Sequence, residues 1–227
     1  MSRWLMAVPA VLVMAAGIRD LEQARDRQDR VALQKLIAEL QAEAAQAPSK
    51  AALQYRYALG QSYLAEVALE LRDRQQARAA AEAGIDAARK AVALAPRNAE
   101  YRRLLGTLCG QVIPASPLLA VRYGKCAQEE VNKAVELDPK SAKAYLARGV
   151  GNYYLPPQFG GGVDLAIRDF EKAIQMNPQL AEAWMWLGIA QRKAGKMAEA
   201  RKSLEKAVAL NPGRVWAKQQ LDKTPGN

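Results

Sequence analysis

The chain has no histidine. Without an imidazole there is no Ser–His or Cys–His base, and no zinc site of the usual nitrogen–sulfur kind. The two cysteines cannot complete such a site alone, so neither a metal nor a cofactor is expected. No G-x-S-x-G nucleophile turn occurs. Glu129 and Glu130 are neighbours on a predicted helix, where adjacent side chains diverge, so they form no carboxylate dyad. Phenylalanine appears twice, and aromatics make up 6% of the residues. Tyr101-Arg102-Arg103 is too isolated to stack nucleic-acid bases. Gly160-Gly161-Gly162 lacks the Gly-Lys-Ser/Thr of a phosphate-binding loop and reads as a flexible turn. These absences argue against an enzyme.

A membrane-spanning helix needs about 20 apolar residues. The longest apolar run here is Trp4–Gly17, 14 residues. It follows Arg3, ends in Ala15-Ala16-Gly17, and gives way to charge at Arg19-Asp20. That is the layout of a secretory signal peptide, cleaved after Ala15 or Gly17. Export to the periplasm is expected. The alternative is an uncleaved segment that anchors the chain in the inner membrane. The net charge is +10, with 16 Lys/Arg and 12 Asp/Glu up to Ile113 and 17 and 11 beyond it. The excess is spread over the chain, which describes a solvated basic surface or a site for an acidic partner.

Alanine, leucine, glutamate, lysine, arginine and glutamine dominate, and β-branched runs are scarce, so the chain is all-helical. Ala181–Pro212 supplies the ruler. Trp184, Leu187 and Gly188 share one helix face, and Ala200, Leu204 and Ala207 share another. Gly195 is the turn between the two helices and Pro212 the stop. A mid-helix glycine costs about 1 kcal/mol relative to alanine; at Gly188 the reason is close approach to Ala200. The same 12-residue step recurs from Ala166 to Pro178, Ala127 to Pro139 and Gly84 to Pro96. A 10-residue step joins Pro96 to Gly106, Pro139 to Gly149 and Pro178 to Gly188. Between paired helices the spacing grows toward the N-terminus, with extra residues at Leu64–Arg78, Ile113–Pro117 and Leu155–Gly162. Insertions at one joint project from one edge of a stack. The organisation expected is a leader or anchor (1–17), an N-terminal helix (18–47) with a break near Gln28, a solenoid (48–213) and a C-terminal capping helix with a tail (214–227). The solenoid units are 52–96, 98–139, 142–178 and 181–212.

Trp184, Leu187-Gly188, Ala200, Leu204, Ala207 and Pro212 resemble the tetratricopeptide repeat (TPR). Gln191 departs from it, since the family has an aromatic there. The resemblance covers Ala52–Pro212 and is closest over Ala142–Pro212. It implies a right-handed α-solenoid of about four antiparallel pairs with a capping helix at each end. Gly151–Pro157 with Phe159-Gly160-Gly161, and the helix from Ala166 to Ala173, are also similar to periplasmic repeat subunits of TRAP-type solute transporters. The exported bacterial type is the form expected.

The resemblance implies a non-enzymatic scaffold that holds a protein or peptide in a groove lined by the first helix of each pair. Counted from each mid-helix glycine, the groove residues are Tyr57, Gln61 and Leu64; Arg103 and Thr107; Leu146, Val150 and Tyr153; Met185, Ile189 and Arg192. The paired Lys and Asn of chaperone-binding repeats are absent from these places. The apolar members could instead pack beneath the loops or the N-terminal helix. The loop edge carries Pro114, Pro117, Pro156, Pro157 and Phe159. The alternative function is a transport-accessory or small-ligand-binding subunit. No nucleic-acid partner is expected, and a membrane only if the N-terminal segment stays on. Cys109 and Cys126 fall on the two helices of one pair, where they either form a disulfide or lie as two buried thiols. Oligomeric state is left open.

Overall fold

Five times the chain repeats one punctuation: a residue, a proline, and two more residues before a new helix. In the computed structural model, which describes residues 17–226, these segments separate helix pairs. The pairs are α1 (Ile18–Asp26) and α2 (Arg30–Gln46), α3 (Ala51–Glu70) and α4 (Arg74–Leu94), α5 (Ala99–Val112) and α6 (Pro117–Leu137), α7 (Ala142–Tyr154) and α8 (Val163–Met176), and α9 (Ala181–Lys193) and α10 (Met197–Leu210). A last helix, α11 (Val215–Asp222), follows. No strand occurs among the described residues. Ala47, Ala95, Asp138, Asn177 and Asn211, each preceding a proline, have φ between −134° and −143°. Proline forces its predecessor out of the helical region, which ends each even-numbered helix at the same place. Asn98 and Ser141 then cap the next helix by accepting from the N–H groups of Tyr101 and Ala144.

Three pairs also share one internal turn. Gln28, Arg72 and Gly195 have φ of 55°, 63° and 78°. The N–H that follows each bonds back to Ala24, Ala68 and Gln191 respectively. This is the left-handed C-terminal cap that glycine favours. The segment 18–47, read as an N-terminal helix with a break near Gln28, is divided at that residue into two helices, and α1–α2 is a fifth pair.

Consecutive odd-numbered helices from α1 to α9 pack on one another, while the even-numbered helices pack on odd-numbered ones. A stack built this way curves, with odd helices on the concave face and even helices outside. The expected all-helical solenoid is what the chain forms. A Cβ on Gly188 would lie 2.6 Å from Leu204 Cγ and 2.8 Å from the Ala200 carbonyl oxygen. Gly106 meets Val131 and Ala127, and Gly149 meets the Phe170 ring, in the same way. Gln191, where the repeat has an aromatic, instead accepts from the Ser203 hydroxyl at 2.7 Å across the pair.

Two expansions lie in the helices themselves. α3 and α4 run 20 and 21 residues, against 13 and 14 in α9 and α10. α6 also reaches 21 residues. The loops keep short 3-10 turns at Ile113–Ala115 and at Pro157–Phe159. Gly161 has no room for a side chain, because a Cβ would sit 2.2 Å from the Leu155 carbonyl oxygen. The apolar run read as a leader or anchor lies outside the described residues apart from Gly17.

Candidate functional site on the concave face

The concave face is crossed by ion pairs. On α5, Glu100 holds Arg103 through two bonds of 2.7 Å, and Arg103 also reaches Thr107 at 3.4 Å. Tyr55 donates its hydroxyl to Glu100 at 2.8 Å and stacks on Tyr101. Burial works against the Glu100 charge, but Arg103 outweighs it and holds the carboxyl below its ordinary pKa. Burial raises the Tyr55 and Tyr63 phenols, so both stay protonated.

A second cluster joins the ends of the solenoid. Arg214 precedes α11, and only 1% of its side chain is exposed. It donates to Glu182 of α9 at 2.9 Å, to Glu66 of α3 at 2.7 Å, and to both carboxylate oxygens of Glu70. Asp26 of α1 lies 3.8 Å away. Arg25 pairs with Asp26 at 2.6 Å and Glu182 at 3.4 Å, and its guanidinium covers the Tyr63 ring. Two cations thus face four carboxylates. Burial and the acid excess raise the Glu66 pKa, against the pull of Arg214 and Arg25, and Glu70 is raised as well. Glu182 is also penalised by burial, but Arg214 and Arg25 hold it below its ordinary value. Nearby, Asn211 donates to Asp26 at 2.8 Å, and Gln28 meets Gln219.

The groove residues named from sequence divide into three groups. Arg103 and Thr107 stand together on the concave face. Leu146, Val150 and Tyr153 are half-buried on α7 against Trp184 and Trp186. Met185 and Ile189 are buried with Leu204, Ala207 and Ala217, so the α11 side covers them. Arg192 is turned to the same helix, donating to the Gln220 carbonyl, the Gln220 side chain and Thr224.

Tyr57, Gln61 and Leu64 differ in phase. They were counted from Gly60, whose Cβ direction meets Ile37 at 2.9 Å and Leu21 at 3.5 Å, toward α1 and α2. Gly84 faces Gln61 instead, with a Cβ contact of 3.0 Å. One residue along a helix is about 100° of rotation. The count from Gly60 therefore puts Gln61 and Leu64 in the core, with Tyr57 accepting from Gln61 at 3.0 Å. The concave residues of α3 are Tyr63, Glu66 and Glu70.

On the turn edge, Pro114, Pro156, Pro157 and Phe159 are exposed, and Pro117 opens α6. Leu71, Leu118, Val121, Tyr154 and Met197 are exposed beside the same turns. Cys109 and Cys126 form a disulfide between α5 and α6. No His/Cys/Asp/Glu group suited to a metal occurs among the described residues. No helix among them is long and apolar enough to cross a membrane.

Comparison with known proteins gives two family matches: regulator of microtubule dynamics protein 1-3 over residues 16–155, and a tetratricopeptide repeat over residues 159–215. The chain is similar to human protein O-mannosyl-transferase TMTC1, 33% identical over 99 residues. That alignment takes in 43% of this chain and 11% of the transferase. The mouse protein is 30% identical over 117 residues, 51% of this chain and 12% of that one. The chain thus spans only a small part of these curated relatives. In fold it is similar to TTC0263, a thermophilic TPR protein of Thermus thermophilus, with a TM-score of 0.62 and 15% identity over 89% of this chain and 98% of that one. It is also similar to the HusA haemophore of Porphyromonas gingivalis, with a TM-score of 0.60 and 19% identity over 76% and 94% of the two chains. These two likenesses are of fold alone. With one match running through the first three helix pairs into the fourth and the other from α8 through the fifth pair, the chain belongs to the regulator of microtubule dynamics protein 1-3 family and is built as a tetratricopeptide-repeat solenoid.

Proposed function

We propose that the chain is a non-enzymatic scaffold that binds a protein or peptide segment along its concave face, with the exposed turn edge as a second contact surface. The observation that carries this reading is the chemistry of the inner helices. Their concave side offers guanidinium, carboxylate, phenol and hydroxyl groups at Arg103, Glu100, Tyr55 and Thr107. Those groups suit recognition of a peptide backbone and its charged side chains. The name of the family adds a polymer-associated partner as a class to test, and a net charge of +10 favours an acidic one.

We place this scaffold in the cell envelope. The reading is supported by the disulfide, since such bonds persist in oxidising compartments, and by the apolar N-terminal run.

A photo-crosslinking side chain at Thr107 or Leu146 tests the groove, with Lys172 on the outer helix α8 as control. Adducts from the inner positions and none from Lys172 are expected. Adducts from Lys172 alone, or from no position in cells where the chain is active, refute the assignment. Thiol alkylation without reductant tests location: both cysteines blocked in the envelope fraction support export, and both reactive oppose it.

A further inference from the structure

We propose that the Arg214–α11 segment is a displaceable self-ligand, its guanidinium filling a carboxylate-lined receptor on the concave face that a partner engages by presenting an arginine of its own. The inference rests on the groove-binding reading above and names the chemistry of the partner. Three observations converge on it.

The receptor is assembled from distant parts of the chain. Glu66 and Glu70 lie 148 and 144 residues from Arg214 in sequence, and Glu182 lies 32 away. All the hydrogen bonds Arg214 makes to these acids come from one planar group, which satisfies Glu70 through two parallel bonds. That fork geometry is specific to guanidinium, and a lysine does not reproduce it. With α11 lifted away, Arg25, paired with Asp26 and Glu182, is the cation left to this group of four acids, and Gln28 still donates to Glu70. The vacated site is then an acidic pocket shaped for one cation.

α11 is rooted by a short list of apolar side chains, which close over Met185 and Ile189. Ala217 and Gln220 are its fully buried residues, while Trp216 and Leu221 are partly covered. Its remaining ties are polar: Arg192 to Gln220 and Thr224, Gln219 to Gln28, and Asn211 to Asp26. Such ties exchange readily for equivalent ones from another chain. Apolar burial would have to be lost to water, at roughly 25 cal/mol per Å².

Finally, the segment covers groove positions. Met185, Ile189 and Arg192 lie beneath or against it. Arg214 also stacks over Trp216, which meets Trp186 edge-on. The displacing partner is therefore a segment with arginine followed two residues later by an aromatic, as in Arg214-Val215-Trp216.

Hydrogen exchange on the intact chain tests the device. α11 amides are expected to exchange at least tenfold faster than those of α9 and α10; equal rates overturn the proposal, because α11 would then open only when the solenoid unfolds. A synthetic peptide with the sequence of residues 211–221, added in excess, should accelerate α11 exchange further, and the same peptide bearing Arg214→Met should not. Acceleration by both peptides, or by neither, overturns it. The full-length Arg214→Met chain should bind the labelled arginine peptide at least tenfold more tightly than the wild-type chain; equal affinity for the folded variant counts against the receptor. The exchange experiments use the wild-type chain and decide the matter if that variant does not fold. None depends on the natural partner, so a failed latch leaves the crosslinking result standing.

Discussion

Gly188→Ala is the sharpest test of how the pairs are packed. Two effects compete. Alanine is the better helix former by about 1 kcal/mol, so in open space the change stabilises. At Gly188 the space is closed: the new methyl would lie 2.6 Å from Leu204 Cγ and 2.8 Å from the Ala200 carbonyl oxygen. Leu204 is fully buried and can yield only in part. Ala200 presents backbone, which moves only if α10 moves. Overpacking of this kind costs about 1–3 kcal/mol. The net effect at Gly188 therefore lies between about zero and 2 kcal/mol of destabilisation. Gly124, inside α6, has no atom within 4 Å of its Cβ position, so Gly124→Ala keeps the full helical gain. The two variants should differ by about 1–3 kcal/mol, the contact cost with the helix term removed. Urea unfolding followed by circular dichroism measures this. With a slope of about 2 kcal/mol/M, the midpoints should separate by about 0.5–1.5 M. Fluorescence adds a local probe, because Trp184, Trp186 and Trp216 all report on the C-terminal end. A Gly188→Ala chain as stable as Gly124→Ala would refute the close-contact argument.

Three other perturbations test separate parts of the fold. Arg72 sits at φ 63° and Gly195 at φ 78° in equivalent turns, so Arg72→Gly should raise stability by up to about 1 kcal/mol and Gly195→Ala lower it by about 1–2 kcal/mol; shifts of the same sign in thermal melts would refute the shared turn. The disulfide closes a loop with a sequence separation of 17, so replacing both cysteines with alanine should cost about 3 kcal/mol, read as a urea midpoint shift that reductant abolishes. Burial, aided by Glu182 and Glu70 and opposed by Arg214 and Arg25, raises Glu66 from 4.5 to about 7. A pKa raised on folding contributes stability below the ordinary value that is lost as pH rises through the folded one. Glu66→Gln should therefore gain on wild type between pH 5 and pH 8, and an equal offset at both pH values would refute the assignment. Glu100 shifts the opposite way, but it lies outside this cluster and both proteins share it, so it cancels; Glu70 and Glu182 are charged neighbours of Glu66, and Glu66→Gln relieves their repulsion as pH rises, in the same direction.

The frame was legible where steric need dictates residue type at a fixed spacing. Pro96, Pro139, Pro178 and Pro212 must end helices, and Gly106, Gly149 and Gly188 must sit where helices cross. The first pair showed only as a helix with a break near Gln28, because Gln28, and not glycine, occupies its left-handed turn. The hydrogen bond from Asp29 to Ala24 shows the motif, but the sequence does not. Arg72 obscured the second turn in the same way. Gly60 misled for another reason: it packs closely, but against α1 and α2, one helical step away from the face that meets α4. For Arg103 and Thr107 the count from Gly106 led to the concave face. The Arg214 cluster could not be read from periodicity at all. The acids that accept from Arg214 lie up to 148 residues from it in sequence, and each acid alone resembles a solvated helix residue.

The departures from the repeat explain how the ends meet. A helix rises about 1.5 Å per residue, so α3 is about 10 Å longer than α9. A 13-residue helix starting at Ala51 would stop at Tyr63. Glu66 and Glu70 lie in the extension beyond that point, and they are the residues that reach Arg214 from α3. In an open solenoid each pair feels only its neighbours, and stability adds up along the stack. Here a buried guanidinium ties the last helix to the first two pairs. Removing one partner from such a cluster leaves uncompensated buried charge, which is why its loss is felt more than that of a surface pair. The lengthening of α3 thus turns a one-dimensional stack into one whose two ends sense each other. A partner that captures the Arg214 site at one end would alter the exposure of α1 and α3 at the other.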